Sequence, residues 1–157
     1  MKYPKIFMKL SKLKRELLDA CFVEIDDRAG SLRKVMDDAQ QSANDYGQPK
    51  DRYDSYRTQL LRKRDMFGQQ LRKILEQRNV LERIDPEKTT HKVEFGALVV
   101  TNHQTIFISI GLGKFDFNGH DYFVISPGVP FYKAMEGLKA GDEFEFRGQN
   151  CKILEIA

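Results

Sequence analysis

The segment DYGQPKD, residues 45–51, divides the first half of the chain into two helical stretches. Gly47 can adopt the left-handed conformation that commonly follows the last turn of a helix, and Pro49 suits the first turn of a new helix. Because one helix ends and another begins within a few residues, the chain must reverse its direction here. The segment therefore predicts the tip of an antiparallel helical hairpin, near residues 45–54.

The stretches on either side of this tip carry apolar residues at intervals of three and four, which is the period of one helical face. The pattern predicts a first helix over about residues 11–45 and a second over about 49–84, which must stop at Pro86. One apolar face per helix is typical of a two-helix coiled coil, with a single buried seam. The aromatic residues assigned to that seam are Tyr53, Tyr56 and Phe67. A base-stacking surface is the alternative for these aromatic side chains.

Charge is distributed unevenly along the chain. Residues 1–90 contain 20 Lys and Arg against 15 Asp and Glu, a net charge of +5, whereas residues 91–157 contain 6 against 8, a net charge of −2. A basic, glycine-poor half followed by a slightly acidic, glycine-rich half predicts two domains with different roles. We place the hairpin in residues 1–86 and the second domain in residues 91–157.

The second domain shows short β-type runs separated by turn residues. The runs are 93–100, 105–111, 120–126, 142–146 and 151–156, and they predict five strands. A short helix over 130–138 interrupts them, opening with proline and ending near glycine. The chain is therefore predicted to be α+β, with an N-terminal antiparallel two-helix hairpin and a small domain whose bent antiparallel sheet packs on one helix.

Composition and motifs argue against several classes of protein. No apolar run approaches the roughly 20 residues of a membrane span, and the opening residues lack a signal-peptide pattern, so a cytoplasmic location is expected. Cys21 and Cys151 lie far apart and are expected to be buried apolar residues. The histidines His91, His103 and His120 lack metal-ligand spacing. No hydrolase, zinc-protease, phosphate-loop or dinucleotide motif is present, which disfavours an enzyme acting alone.

The segment ISPGVPFYKAMEGLKAGDEFEF, residues 125–146, resembles the signature of the Gre family of transcription elongation factors, the GreA/GreB family. It has a strand ending in Ile-Ser-Pro, a short helix running to glycine, then Gly-Asp and a strand. The runs VEFGALVV (93–100) and KILEI (152–156) stand where that family's C-terminal domain has its first and last strands. A hairpin of long helices precedes that domain in the family. The resemblance therefore covers nearly the whole chain, and it implies an FKBP-like fold for the second domain.

The resemblance implies a factor that binds bacterial RNA polymerase and inserts its hairpin into the polymerase secondary channel. We expect the factor to be a monomer. Carboxylates at the family's tip help hold a second Mg²⁺ in the polymerase active site and orient the water that cuts backtracked RNA. On this chain the matching residues are Asp51 and Asp54, with Asp45 as a weaker third. The factor would have no cofactor of its own, and its contact with the RNA 3′ end would be indirect.

Two further groups are candidates for contact with a partner. The residues around the short helix of the second domain are Pro127, Pro130, Phe131 and Tyr132. Exposed aromatic side chains at such positions favour protein interfaces. The basic cluster on the second helix is Arg62, Lys63 and Arg64. This cluster could contact polymerase or phosphate, with an ordinary solvated helix face as the alternative.

The tip departs from the family pattern. It reads KDRYDSY, residues 50–56, where the family has Gly-Asp-x-x-Glu-Asn, so the shorter Asp54 stands in place of glutamate. Two kinds of function stay open. One is a factor that rescues backtracked complexes by stimulating RNA cleavage, and the other is a non-cleaving regulator or inhibitor that occupies the channel, or an interaction module with another partner. A structural role is equally open, since Asp51 and Asp54 in the first turn of a helix would cap its N–H groups.

Overall fold

The computed structural model describes the backbone of residues 2–157 and the side chains from Lys9 onward. This described part contains three helices and six strands. They are α1 (Lys2–Tyr46), α2 (Tyr56–Glu82), β1 (Leu98–Thr101), β2 (Thr105–Ile108), β3 (Gly113–Phe117), β4 (His120–Ile125), α3 (Pro130–Met135), β5 (Glu143–Phe146) and β6 (Gln149–Ile156). The predicted α+β class, a long helical hairpin followed by a sheet domain, is confirmed. Within the same residues no helix combines the length and apolar character needed to cross a membrane.

The chain forms two compact units. One is Phe22–Asn79, and the other joins the chain up to Cys21 with Val80–Ala157. The domain boundary that the sequence analysis places between residues 86 and 91 stays a prediction.

The unit Phe22–Asn79 is a helical hairpin with a narrow apolar seam. The buried residues of α1 in this unit are Ile25, Ala29, Ala39 and Ala43. Three of the four are alanines, which allow two helices to approach closely. A polar contact joins the arms as well, since Arg78 Nε donates to Asp26 Oδ1 at 2.8 Å and the Arg78 guanidinium lies 5.3 Å from the centre of the Phe22 ring.

The six strands form one sheet in the order β3-β4-β2-β1-β6-β5. Every neighbouring pair is antiparallel except β2 and β4, where Ile106 lies opposite Phe123 in parallel register. The sheet is therefore mixed, whereas the sequence analysis expects it to be antiparallel. After β2 the chain crosses to the outer edge of the sheet and forms β3 there. It then turns back, so that β4 lies between β3 and β2 and runs parallel to β2.

The edge strand β3 is absent from the five predicted strands. It alternates polar and apolar residues and is joined to β4 by Asn118 and Gly119, whose φ angles are +52° and +79°. Positive φ at both central residues is the geometry of the two-residue hairpin turn for which Asn-Gly is the strongest sequence signal. A second turn of this kind, at Arg147 and Gly148, joins β5 to β6.

Strand β1 starts later than predicted, and helix α3 ends earlier than predicted. Strand β1 begins at Leu98, because Ala97 N donates to Glu94 O at 3.0 Å and closes a turn before the strand. Helix α3 ends at Met135, because Gly137 adopts a φ of +78° and its N–H donates to Val93 O at 2.8 Å. Both hydrogen bonds draw main-chain groups away from the regular elements that the sequence pattern predicts.

The core of the sheet domain lies between the sheet and α3. Its buried members are Val93, Ala97, Val99, Ile106, Ile108, Tyr132, Met135, Phe144, Cys151 and Ile153. Cys21 on α1 is also buried, with no exposed surface, so the prediction that both cysteines are buried is confirmed.

Three polar contacts hold the segment between α2 and the sheet in place, all within the unit that contains the sheet. Lys14 is 2% exposed, and its Nζ donates to Lys88 O at 3.0 Å. Arg15 pairs with Glu87, and Thr90 Oγ1 donates to the carbonyl of the final residue at 2.7 Å. Burial lowers the pKa of Lys14, and the nearby carboxylates of the segment partly oppose that shift.

Candidate functional site

The tip of the hairpin is a nine-residue turn, residues 47–55, between α1 and α2. Gly47 adopts a φ of +77°, and its N–H donates to Ala43 O at 3.1 Å, which is the left-handed cap that the sequence predicts. Ser55 O accepts the first helical hydrogen bond of α2, from Gln59 N at 2.9 Å. Helix α2 therefore starts several residues later than the predicted position near residue 49.

Asp54 is the centre of the tip's hydrogen-bond network. Its Oδ2 accepts from the Tyr46 hydroxyl at 2.5 Å and from Lys50 N at 2.8 Å, and its Oδ1 accepts from Tyr56 N at 3.1 Å. These bonds favour the ionised carboxylate, so the Lys50 N–H, and after it the Tyr46 hydroxyl, lower the pKa of Asp54. Asp54 thus joins the end of α1, the turn and the start of α2.

Asp51 shapes the turn in a more local way. Its Oδ1 accepts from Tyr53 N at 2.8 Å, and its main-chain carbonyl accepts from Asp54 N at 3.2 Å. The bond from an aspartate to the N–H two residues later is an Asx turn, which competes with helical hydrogen bonding. The expectation that Asp51 and Asp54 lie in the first turn of α2 is wrong, because both residues precede the helix. Asp54 nevertheless caps an N–H group of α2, since its Oδ1 accepts from the N–H of Tyr56, the first residue of the helix.

The third predicted carboxylate stays apart from this network. Asp45 is exposed on the last turn of α1, where its Oδ1 accepts from Gln41 Nε2 at 2.9 Å. The tip thus brings Asp54 and Asp51 into one turn, and Asp45 bonds along its own helix.

Tyr46 and Tyr56 close the base of the turn. Their rings meet edge to face with centroids 4.9 Å apart, and Lys50 Nζ lies 5.0 Å from the centre of the Tyr46 ring. The hydrogen bond to Asp54 and the partial burial of the phenol raise the pKa of Tyr46 to about 12. Ring packing, a cation and an ionised carboxylate therefore stabilise one conformation of the tip.

The assignment of Tyr53 to the helical seam is wrong. Tyr53 is 77% exposed and Tyr56 is 51% exposed, whereas Phe67 is partly buried as the seam requires. Tyr53 leaves the seam because it lies in the turn, outside the helical period that the sequence pattern assumed. Beside it, Arg52 places its guanidinium 4.7 Å from the Tyr53 ring centre.

The tip carboxylates make a poor site for Mg²⁺ by themselves. Magnesium takes carboxylate oxygens in near-octahedral geometry. Asp54 accepts three hydrogen bonds from its own turn, and one oxygen of Asp51 is bonded to the backbone. Across the described residues no group of three or more His, Cys, Asp or Glu side chains is arranged to hold a metal ion. The residues present do not fit a resident magnesium ion.

The predicted partner residues of the second domain divide by burial. Tyr132 is 5% exposed and belongs to the core, so it offers no docking surface. Phe131 is partly buried, with its ring edge to face against Phe144 at 5.7 Å and Phe146 at 5.1 Å. Pro130 is exposed at the first turn of α3, and Pro127 lies partly buried in the loop before it.

An open cleft lies beside these residues. Its volume is about 500 Å³, and its lining includes Pro130, Phe131, Phe146 and Arg147, together with residues of the neighbouring sheet. Phe131 and Pro130 both line this cleft, so they remain candidates for partner contact.

The basic cluster of α2 is uneven. Arg62 and Lys63 are exposed, whereas Arg64 is partly buried and donates to Asp65 Oδ1 on its own helix and to Gln40 Oε1 on α1. Arg64 therefore joins the two arms, and Arg62 and Lys63 are the cluster members whose side chains are exposed.

Two features of the described chain were missed by sequence reasoning. The burial of Lys14 depends on a contact 74 residues away, for which the sequence carries no local signal. The exposed combination of Lys50, Arg52 and Tyr53 has a local signal, because it lies next to Gly47 and Pro49, where a turn is expected.

No protein-family model and no curated protein matches the chain. Among solved structures, the chain is similar to the crystal structure of the GreA factor homolog 1 protein of Thermus thermophilus. The comparison has a TM-score of 0.34 and 14% sequence identity, and covers 87% of this chain and 94% of that chain.

Proposed function

We propose that this protein is a regulator of bacterial RNA polymerase that occupies the secondary channel with its helical hairpin and does not stimulate RNA cleavage. The absence of cleavage stimulation is proposed from the hydrogen bonding of Asp54, whose carboxylate accepts three hydrogen bonds from groups of the tip itself. In this proposal the protein is an accessory factor in the cytoplasm, and any chemistry belongs to the polymerase.

The proposal of a polymerase partner is supported by the order of elements. The segment 125–146, which resembles the Gre signature, forms the end of β4, helix α3 and strand β5 in that sequence. A hairpin of two helices precedes it in the chain, as the resemblance requires. Phe131 and Pro130 beside the apolar cleft are the residues we propose for docking.

The proposal of a non-cleaving tip is supported by the state of both carboxylates. A cleavage factor needs carboxylates that can turn toward a metal ion and a water in the polymerase. To do so, Asp54 would have to leave three donors, one of them the Tyr46 hydroxyl. Asp51 is exposed and has one carboxylate oxygen outside the Asx turn, which is a single weak ligand.

The experiment that tests both parts uses a stalled, backtracked elongation complex of the cognate polymerase with Mg²⁺. Binding is measured by co-migration of the protein with the complex, and cleavage is measured from the RNA length. We expect binding with no shortening of the RNA, and loss of binding for Phe131→Ala. Asp37→Asn, an exposed charge change on α1, serves as the control and is expected to bind as the wild type does.

Each alternative has its own outcome. Shortened RNA with a new 3′ end, abolished by Asp51→Asn together with Asp54→Asn, would establish the cleavage factor and overturn the non-cleaving proposal. Absence of binding would overturn the polymerase partner and leave an interaction module with a different partner.

A further inference from the structure

A second open cleft, of about 570 Å³, lies between the N-terminal part of α1 and the sheet, within the unit that contains both. The helix lines it with one face, whose residues are spaced three and four apart: Lys9, Lys12, Leu13 and Glu16. The rest of the lining is residues 104–105, where β2 begins, and residues 120–122, where β4 begins. A concave site of this volume has the size that small-molecule sites in proteins have.

The charges around this cleft leave a positive surplus. Glu16 pairs with Lys12 at 3.8 Å on the helix, and Asp121 on β4 pairs with Lys114 on β3 at 3.3 Å, so both carboxylates of the lining have a lysine partner. Among the residues whose side chains the structure describes, no carboxylate pairs with Lys9. The pair of Lys12 is long and exposed, so its ammonium group can turn to a ligand at little cost. An anion is therefore the kind of ligand that this cleft attracts.

The uncharged polar groups of the cleft offer hydrogen bonds that the described part of the chain does not use. The side chains of Gln104, Thr105 and Tyr122 are partly buried, and none of them makes a hydrogen bond with a described residue. All three can donate to the oxygen of an anion. Burial raises the pKa of the Tyr122 phenol, which therefore keeps its proton as a donor. The Tyr122 ring and the side chain of Leu13 add an apolar surface beside these donors.

We infer that this cleft binds a small aromatic phosphate, with the phosphate group on Lys9 and Lys12 and the aromatic ring beside Tyr122 and Leu13. A phosphate monoester carries a charge of about −1.5 to −2 at pH 7 and three acceptor oxygens, which match two ammonium groups and the neighbouring donors. A metal cation is disfavoured, because both carboxylates of the cleft already pair with lysines. An inorganic anion would leave the apolar surface of the cleft in contact with water.

The test uses the full-length protein labelled with ¹⁵N, titrated with phenyl phosphate and followed by its amide chemical shifts. The amides of Thr105 and Tyr122 should shift, and those of Phe131 and Phe146 in the other cleft should not; Gln104 lines both clefts and does not distinguish them. Phenyl phosphate should bind more tightly than inorganic phosphate by about 2-fold to 13-fold, which is the contribution of packing two aromatic rings. Benzyl alcohol, which has the ring without the phosphate, should bind more weakly than phenyl phosphate.

Two variants separate the role of charge from the role of the ring. Lys9→Gln combined with Lys12→Gln should weaken the binding of phenyl phosphate and inorganic phosphate alike, by about 2-fold to 30-fold for two exposed ion pairs. Tyr122→Leu should keep the affinity for inorganic phosphate and lose the preference for phenyl phosphate. Arg33→Gln combined with Lys34→Gln removes the same charge from the exposed surface of α1 and is expected to alter neither affinity.

Four results would overturn this inference. They are unchanged amide shifts in the wild type, shifts centred on Phe131 and Phe146, binding of phenyl phosphate no tighter than that of inorganic phosphate or benzyl alcohol, and wild-type affinity in the double lysine variant. An equal loss in the control variant would assign the binding to net charge and would overturn it as well. Circular dichroism spectra check that each variant is folded. Because polymerase is absent, this result is independent of the binding experiment that tests the proposed function.

Discussion

The Tyr46–Asp54 hydrogen bond gives a prediction that tests the described structure of the tip directly. The substitution Asp54→Asn keeps the size of the side chain but removes its charge and one acceptor oxygen. Asp54 Oδ2 accepts from the Tyr46 hydroxyl and from Lys50 N, while Oδ1 accepts from Tyr56 N. The amide of asparagine has one acceptor oxygen. Either the two donors to Oδ2 or the one donor to Oδ1 therefore loses its acceptor.

The expected magnitude is read from the pKa of Tyr46. Hydrogen bonding to Asp54 is the largest of the causes that raise this pKa to about 12, compared with about 10 for an unperturbed tyrosine. We expect Asp54→Asn to return the pKa of Tyr46 most of the way to the ordinary value, a change in proton affinity approaching a hundredfold. Since the native state binds this proton more tightly than the unfolded chain does, the stability it contributes is complete below about pH 10 and is lost as the pH rises through about 12.

Asp54 itself gives the opposite dependence. Because its native pKa is lowered from the ordinary 3.8, its contribution is present above that value and is lost as the pH falls through the lowered pKa. The Asp54→Asn variant should lack the acidic dependence contributed by Asp54 and should lose most of the alkaline dependence contributed by Tyr46.

The assay is a pH titration of the protein labelled with ¹³C at the tyrosine Cζ, which resolves individual phenols among the six tyrosines. Tyr122, whose pKa is raised mainly by burial, is the internal control and should titrate alike in both proteins. Amide exchange at Lys50 and Tyr56 should accelerate in the variant. A pKa of Tyr46 near 12 that survives Asp54→Asn, or one near 10 in the wild type, would refute the hydrogen-bond network of the tip.

Three further predictions concern the stability of the chain, measured by chemical unfolding. Between the lowered pKa of Lys14 and 10.5, the unfolded chain binds more protons than the folded chain, so the wild type becomes more stable as the pH rises. Lys14→Met should abolish this gain in stability. Equal pH profiles for the two proteins would contradict the prediction. Gly30→Ala should stabilise by about 1 kcal/mol, because nothing lies within 4 Å of the added Cβ, and Gly68→Ala should gain less, since a methionine methyl lies 3.3 Å away. Met135 is fully buried, so Met135→Ala should destabilise the protein by about 2–5 kcal/mol. Leu154 is 47% exposed, so Leu154→Ala should destabilise it by less than about 1 kcal/mol. Similar losses for the two variants would contradict the position of the core.

The hairpin could be predicted from the sequence because its signals are local. Gly47 has the positive φ that a helix cap needs, and the apolar residues of α1 repeat with the period of a buried face. The class of the second domain follows from short β-type runs separated by glycine turns. Such features need no knowledge of which distant residues meet.

The remaining features depend on contacts that are distant in sequence or on competition between local bonds. Strand β3 carries charged residues at alternate positions and only half-buries its phenylalanines, so its apolar signal is weak at the sheet edge. The parallel pairing of β2 with β4 is set by where the chain returns. Helix α2 starts later than predicted because Asp51 accepts from Tyr53 N and Asp54 accepts from Lys50 N within the turn. These bonds compete with the helical hydrogen bonding that the spacing of the tyrosines predicts.

The same competition explains why an aspartate at position 54 is more than a shortened glutamate. An Asx turn requires that the carboxylate reach the N–H two residues later in its own backbone, and the single methylene of aspartate suits that short span. Asp54 uses this reach to accept from Tyr56 N while its second oxygen accepts from Tyr46 and Lys50. A glutamate here would extend its carboxylate away from the turn, where it could meet a metal ion but could not tie the two helices together. The residue that departs from the Gre pattern is thus the residue that organises the tip.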